Sequence, residues 1–154
     1  MNTYQFYKKE GTLFIFKNQP IFSSVLAILI FIAAGLAYKY NFPLLGLFLI
    51  VVVGLIIANF FAKKFVIDPQ QQTITCKPSV FVSAKTYAFQ DFINFEVLTT
   101  KYLGFIPMNV FLNIHFEVNG KEHKFMIGQA LTHKSIQKMV NETEDIMGLN
   151  ENLR

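Results

Sequence analysis

The chain has 154 residues, 53% of them hydrophobic and only 16% charged, a balance too apolar for a disordered polymer and unusual for a freely soluble one. Its net charge of +4 does not mark nucleic-acid binding, because residues 63–154 hold ten basic and nine acidic side chains and the excess sits around the apolar segments. Cys76 is the single cysteine, which excludes an intramolecular disulfide and a cysteine-based metal cage.

In chain order, residues 1–20 form an amino-terminal segment with two alternating stretches, Tyr4-Gln5-Phe6 and Leu13-Phe14-Ile15-Phe16, around Lys8-Lys9-Glu10-Gly11. The segment either adds a strand to a neighbouring sheet or lies in a membrane interface with its lysines at the headgroups, and the alternation favours the strand. Between Asn18 and Ala62 the only charge is Lys39, which separates two apolar runs, Ile21 to Tyr38 and Pro43 to Ala62. A bilayer core of roughly 30 Å needs about 20 helical residues, so residues 21–62 are expected to form a two-helix transmembrane hairpin. Gly35-Leu36-Ala37 could pass for a signal cleavage site, but cleavage would leave the second run without its partner. Lys8, Lys9 and Lys17 precede the hairpin and Lys63 and Lys64 follow it, so both termini are expected on the cytoplasmic side. Ala33 and Ala37 in the first run and Gly54 and Ala58 in the second are four apart, which suits close helix packing within the hairpin or between protomers of a homo-oligomer.

From Lys63 the periodicity changes to alternation, and residues 63–148 read as one β-rich module. Phe65-Val66-Ile67 and Thr73-Ile74-Thr75-Cys76 flank a turn at Asp68-Pro69-Gln70-Gln71-Gln72. Val80 to Phe89 reads as a third strand region, and Phe92 to Leu98 as a half-buried strand with Ile93, Phe95 and Val97 on one face. Asn119-Gly120 is a type I′ turn signal. It sets Val118 opposite Lys121, Phe116 opposite His123 and Ile114 opposite Phe125. Leu112, Ile114, Phe116, Phe125 and Ile127 then face the core, while Asn113, His115, Glu117, Glu122 and Lys124 face water, with Lys124 relieving the repulsion between the two glutamates. His115 and His123 fall on opposite faces and cannot chelate one ion, so no metal site is expected. A final helix runs from Thr132 as N-cap to Met147, stopped by Gly148, with Ile136, Met139, Val140, Thr143 and Met147 on one stripe. Residues 149–154 are a tail.

This element order, with the stretch Ala88-Phe89-Gln90-Asp91-Phe92-Ile93-Asn94-Phe95-Glu96-Val97, resembles small bacterial membrane proteins in which a two-helix hairpin precedes a cytoplasmic pleckstrin-homology-like (PH-like) domain. The resemblance implies two transmembrane helices followed by a PH-like β-barrel capped by a carboxy-terminal helix, in the bacterial inner membrane. Lipid-binding members of that superfamily carry basic residues in the first strand-joining loop. Here that loop is Asp68 to Gln72, without Lys or Arg, so a phosphoinositide headgroup is disfavoured.

The functional expectation is a non-enzymatic membrane protein whose cytoplasmic domain binds another protein in a regulatory, assembly or immunity-type role. The apolar loop around Tyr102, Leu103, Phe105 and Ile106 needs a cover, supplied by that partner, the barrel itself or the bilayer. A transporter or channel subunit is the alternative, although Ser23, Ser24 and Asn59 are the only polar groups in the two runs that could line a route. No Gly-rich phosphate loop, nucleophile elbow or paired catalytic motif occurs, so no catalytic residue and no cofactor is assigned.

Overall fold

A computed structural model describes residues 4–18, 21–102 and 106–149. The chain divides into two units. One is a strand-rich body drawn from residues up to Lys17, from Lys64–Pro78 and from Ala84 onward; the other is helical, made of Asn18–Lys63 with the loop Ser79–Ser83.

The helical unit holds α1 (Ile21–Lys39) and α2 (Pro43–Ala62). Pro43 opens α2, where its missing N–H costs nothing, and Asn41 turns the chain at φ 61°. The helices meet along Ala34, Ala37 and Gly46. A Cβ at Gly46 would come within 2.6 Å of the Tyr38 ring, so a larger residue there would displace that ring from the seam. The Asn18 amide donates to the Lys63 carbonyl at 2.6 Å and to the Phe60 carbonyl at 3.4 Å, satisfying orphan acceptors at the end of α2. Elsewhere the surface is apolar and uncovered: Leu44 is 82% exposed and Phe48 63%.

In the body, β1 (Tyr7–Glu10), β2 (Leu13–Phe16), β3 (Lys64–Asp68), β4 (Thr73–Lys77) and β5 (Lys85–Ala88) form an antiparallel five-stranded sheet in chain order. A second antiparallel sheet has the order β6 (Phe92–Tyr102), β7 (Ile106–Val118) and β8 (Lys121–Ala130), and α3 (His133–Met147) closes the body. The hairpin register has the expected pairs, Phe116 with His123 and Val118 with Lys121. Asn119 and Gly120 both take positive φ, 53° and 71°, as a type I′ turn demands. Leu112, Ile114, Phe116, Phe125 and Ile127 are all buried. A bulge after Leu112 shifts the pairing, so Leu112 faces Gly128 and Ile127 is the extra residue. Aromatic stacking ties the two sheets together: Tyr87 lies 4.3 Å from Phe116 and Phe65 lies 5.7 Å from Phe125, ring centre to ring centre. Each such burial contributes roughly 1.5–3 kcal/mol.

The expected architecture of two transmembrane helices followed by a PH-like barrel needs correction. Among the described residues only α2 is long and apolar enough to cross a membrane; the apolar stretch of α1, Ser23–Lys39, falls short of that length. The chain also begins with strands, because the alternation in residues 4–16 buries Phe6, Tyr7 and Phe16 in the body. The helices are therefore an insertion within a strand-rich body whose strands form two separate antiparallel sheets. A second difference lies at Val80 to Phe89. Only Lys85–Ala88 pairs as a strand, because Pro78 breaks the ladder and the Val80 N–H bonds Asn59 instead. Strand β6 is longer than the Phe92 to Leu98 expectation and reaches Tyr102.

Candidate functional site

The longest strands, β6 and β7, continue past the end of β8, whose last residue, Ala130, pairs with Val110. Thr100 with Asn109, Lys101 with Pro107 and Tyr102 with Ile106 therefore form a two-stranded arm without a third strand among the described residues. A bare two-stranded ribbon is marginal in water, so such an arm gains from a neighbour. Its root is fixed by polar bonds: the Thr100 hydroxyl donates to the Asn109 carbonyl at 3.1 Å, and the Asn109 amide donates to Gln129 Oε1 at 3.2 Å. Of the candidate contact residues, Tyr102 and Ile106 are the last paired residues of the arm, whereas Leu103 and Phe105 lie outside the described residues.

The outward face of the same sheet carries an ionic cluster. His115 sits between two carboxylates, with Nδ1 on Glu122 and Nε2 at 3.2 Å from Glu96, and the Lys124 ammonium and the Asn113 amide also reach Glu96. The Lys124 contact holds the Glu96 carboxyl below its ordinary value, with His115 and Asn113 acting in the same direction. Lys124 thus pairs with Glu96 on β6 instead of lying between Glu117 and Glu122, which face each other across the hairpin. Every carboxylate oxygen used here already has an internal donor, so the cluster acts as strand-to-strand glue across three strands.

The other histidines stand apart. His123 tilts against Tyr87 at 5.7 Å, and His133 Nε2 is 3.3 Å from the Thr99 hydroxyl. Among the described residues no three His, Cys, Asp or Glu side chains converge as a metal site. Cys76 is buried, and desolvation pushes its thiol up to about 12, so it is a packing group in the resting state. In the loop after β3, the Asp68 carboxylate accepts from the Gln70 and Gln71 amides at 3.0 and 3.1 Å. That loop presents its own turn bonds and no cation.

Of the candidate helix-packing residues, Ala37 is in the α1–α2 seam, while Ala33, Gly54 and Ala58 are exposed; Ala34 and Gly46 are the small residues that join Ala37 there. At the other end of the pair, Ser23, Ala27, Ile56 and Phe60 line part of an apolar cleft of about 380 Å³.

Two features escaped the sequence reading. Glu142 lies on the buried side of α3 and accepts the backbone N–H groups of Gln5 and Phe6 at 3.0 and 2.9 Å, so α3 and the amino terminus are clasped together. Tyr7 and Thr143 share a buried 2.6 Å bond beside it. An acid one position from an apolar stripe was the available signal. The second is the loop Ser79–Ser83, whose Val-Phe-Val centre reads as a strand but is exposed.

No protein-family model, no curated protein and no solved structure matches this chain. The resemblance to PH-like membrane proteins therefore rests on the sequence pattern alone.

Proposed function

We propose that the protein is a non-enzymatic membrane protein whose strand-rich body engages another protein, in a regulatory, assembly or immunity-type role. The observation that carries this reading is the contrast between the units. The body buries its apolar side chains, and among the described residues every buried side-chain polar atom has a partner. The helical unit instead exposes large apolar side chains on nearly all sides, which in water would be unstable and in lipid is ordinary. The charge asymmetry around the helices supports a bacterial inner-membrane location with the body in the cytoplasm. The β6–β7 arm, reaching beyond its sheet, is the contact region that this reading favours.

Two measurements test the proposal. Carbonate washing of membranes should leave the full chain in the pellet, and its release would overturn the membrane reading. Affinity purification in mild detergent should recover a partner that is lost when Phe105 and Ile106 are both replaced by Ser. Recovery of the same partner from that variant would remove the arm from the interaction.

A further inference from the structure

The five-stranded sheet has one basic end. The register sets Lys64 opposite Lys77 and Lys85 opposite Cys76, and β2 runs antiparallel to β3 so that Lys17, after Phe16, falls at the same end. Lys17, Lys64 and Lys85 are exposed and Lys77 is half-buried. The acids of the sheet, Glu10 and Asp68, lie at the opposite end. Each of these four lysines lies within two residues of a point where the chain enters or leaves the helical unit: Lys17 and Lys77 before Asn18 and Ser79, Lys64 and Lys85 after Lys63 and Ser83.

Between Lys77 and Lys85 the chain forms the loop Ser79–Ser83, which clusters with the helices. The Val80 N–H donates to Asn59 Oδ1 at 3.2 Å, tethering the loop to the last turn of α2. Its three central side chains point away from cover: Phe81 is 80% exposed, Val80 44% and Val82 42%. On α2, Phe61 is 73% exposed. An apolar tip fixed at the end of an apolar helix, with Lys77 and Lys85 on either side of it in the sequence, combines hydrophobic insertion with attraction to anionic headgroups.

The geometry points to a second membrane contact, in which Val80, Phe81 and Val82 insert into the interfacial layer of the bilayer and the lysine row binds anionic phospholipid headgroups. This inference rests on the membrane reading above. The occupant is a lipid surface because the apolar tip continues the uncovered apolar surface of α2, and because the charged residues that flank it in the sequence, Lys77 and Lys85, are of one sign. The tether at Asn59, near the end of α2, sets the depth: the tip reaches the headgroup boundary and not the bilayer centre.

The chain contains no tryptophan, so Phe81→Trp supplies a single fluorescent reporter at an exposed position. Phe48→Trp, on the exposed surface of α2, reports separately on the span. Each full-length variant is reconstituted into phosphatidylcholine vesicles, with or without a phosphatidylglycerol fraction, using lipids brominated near the headgroup or near the methyl ends. The expected result is F81W emission shifted to the blue and quenched roughly twofold by shallow bromines, more strongly with phosphatidylglycerol present, and F48W quenched by deep bromines. Lipid quenching of F48W together with water-like F81W emission open to iodide would overturn the second contact and leave the membrane reading standing. Failure of both reporters to feel the lipid would overturn both. In the F81W background, K64Q with K77Q and K85Q should abolish the phosphatidylglycerol increment, and an unchanged increment would overturn the role of the lysines.

Discussion

Glu142 is a carboxylate among the apolar side chains of α3, and its position is explained by the two amides it accepts from Gln5 and Phe6. Those N–H groups precede β1 and have no strand partner to turn to. Replacing Glu142 with Ala leaves two donors without an acceptor near the core, which should cost about 1–3 kcal/mol. Glu142→Gln keeps one acceptor and should cost less. Denaturant unfolding of the two variants checks the order, and loss of amide-exchange protection at residues 5 and 6 checks the cause. By contrast, the neighbouring bond from Tyr4 to Asp145 is exposed, so Tyr4→Phe should change stability by under about 1 kcal/mol. Cys76 yields a prediction about pH. Burial raises its thiol from 9.0 to about 12, so below pH 9 both the folded and unfolded chains hold the proton and the shift has no effect. Above pH 9 the unfolded chain releases the proton while the folded chain retains it. Stability should therefore fall from pH 9 upward, until the folded thiol ionises near 12. Buried Tyr7, raised in the same direction by desolvation, adds to the alkaline loss. Cys76→Ala should flatten the early part of that decline in thermal melts taken across alkaline pH, and a disulfide reagent at pH 8 should label Cys76 only after unfolding.

At the level of elements, the β7–β8 hairpin is held by local chemistry. Gly120 sits at φ 71°, where a β-branched residue is strained, so Gly120→Val should cost about 1–2 kcal/mol and loosen the register that opposes Phe116 to His123. A lowered melting temperature with new exchange at the Lys121 amide is the expected outcome. This hairpin and α3 were legible in the sequence because their signals are short-range. Asn-Gly fixes a turn within four residues, and Thr132 and Gly148 cap a helix with a period of 3.6, where Thr132 accepts from the Ser135 amide and Gly148 takes φ 75°. The bulge at Leu112 was not legible, since it depends on what packs beneath the strand. Val80-Phe81-Val82 misled for a related reason: its composition fits a strand, but among the described residues it pairs with none and Asn59 captures its first amide. The ionic cluster was half legible. His115, Glu122 and Lys124 were on the expected face, but Glu96 joins them from β6 through a pairing that local reasoning could not supply.

The whole molecule has an organisation that only the long-range pairing reveals. Strands β2 and β3 are antiparallel neighbours, with Phe14 opposite Ile67 and Ile15 opposite Val66, and extending that register sets Phe16 opposite Phe65 and Lys17 opposite Lys64. The helical segment Asn18–Lys63 thus occupies the place of a hairpin loop, inserted between two residues that a two-residue turn could join. The sequence shows the apolar runs first and invites a reading of membrane anchor followed by domain, because hydropathy is local and strand partnership is not. If the body is complete without the insertion, replacing Asn18–Lys63 by Asn-Gly should leave it folded. Shortening the connection lowers its closure entropy by roughly 3 kcal/mol in the simplest treatment, which favours the shortened chain. Phe81→Ser would be included to remove the most exposed apolar side chain from the Ser79–Ser83 loop. The expected product is soluble without detergent, melts cooperatively and retains the Tyr87–Phe116 stacking signature in near-ultraviolet circular dichroism. Aggregation or a molten spectrum would show that the body depends on the helices for its fold, and the insertion would then be a structural element of one cooperative unit.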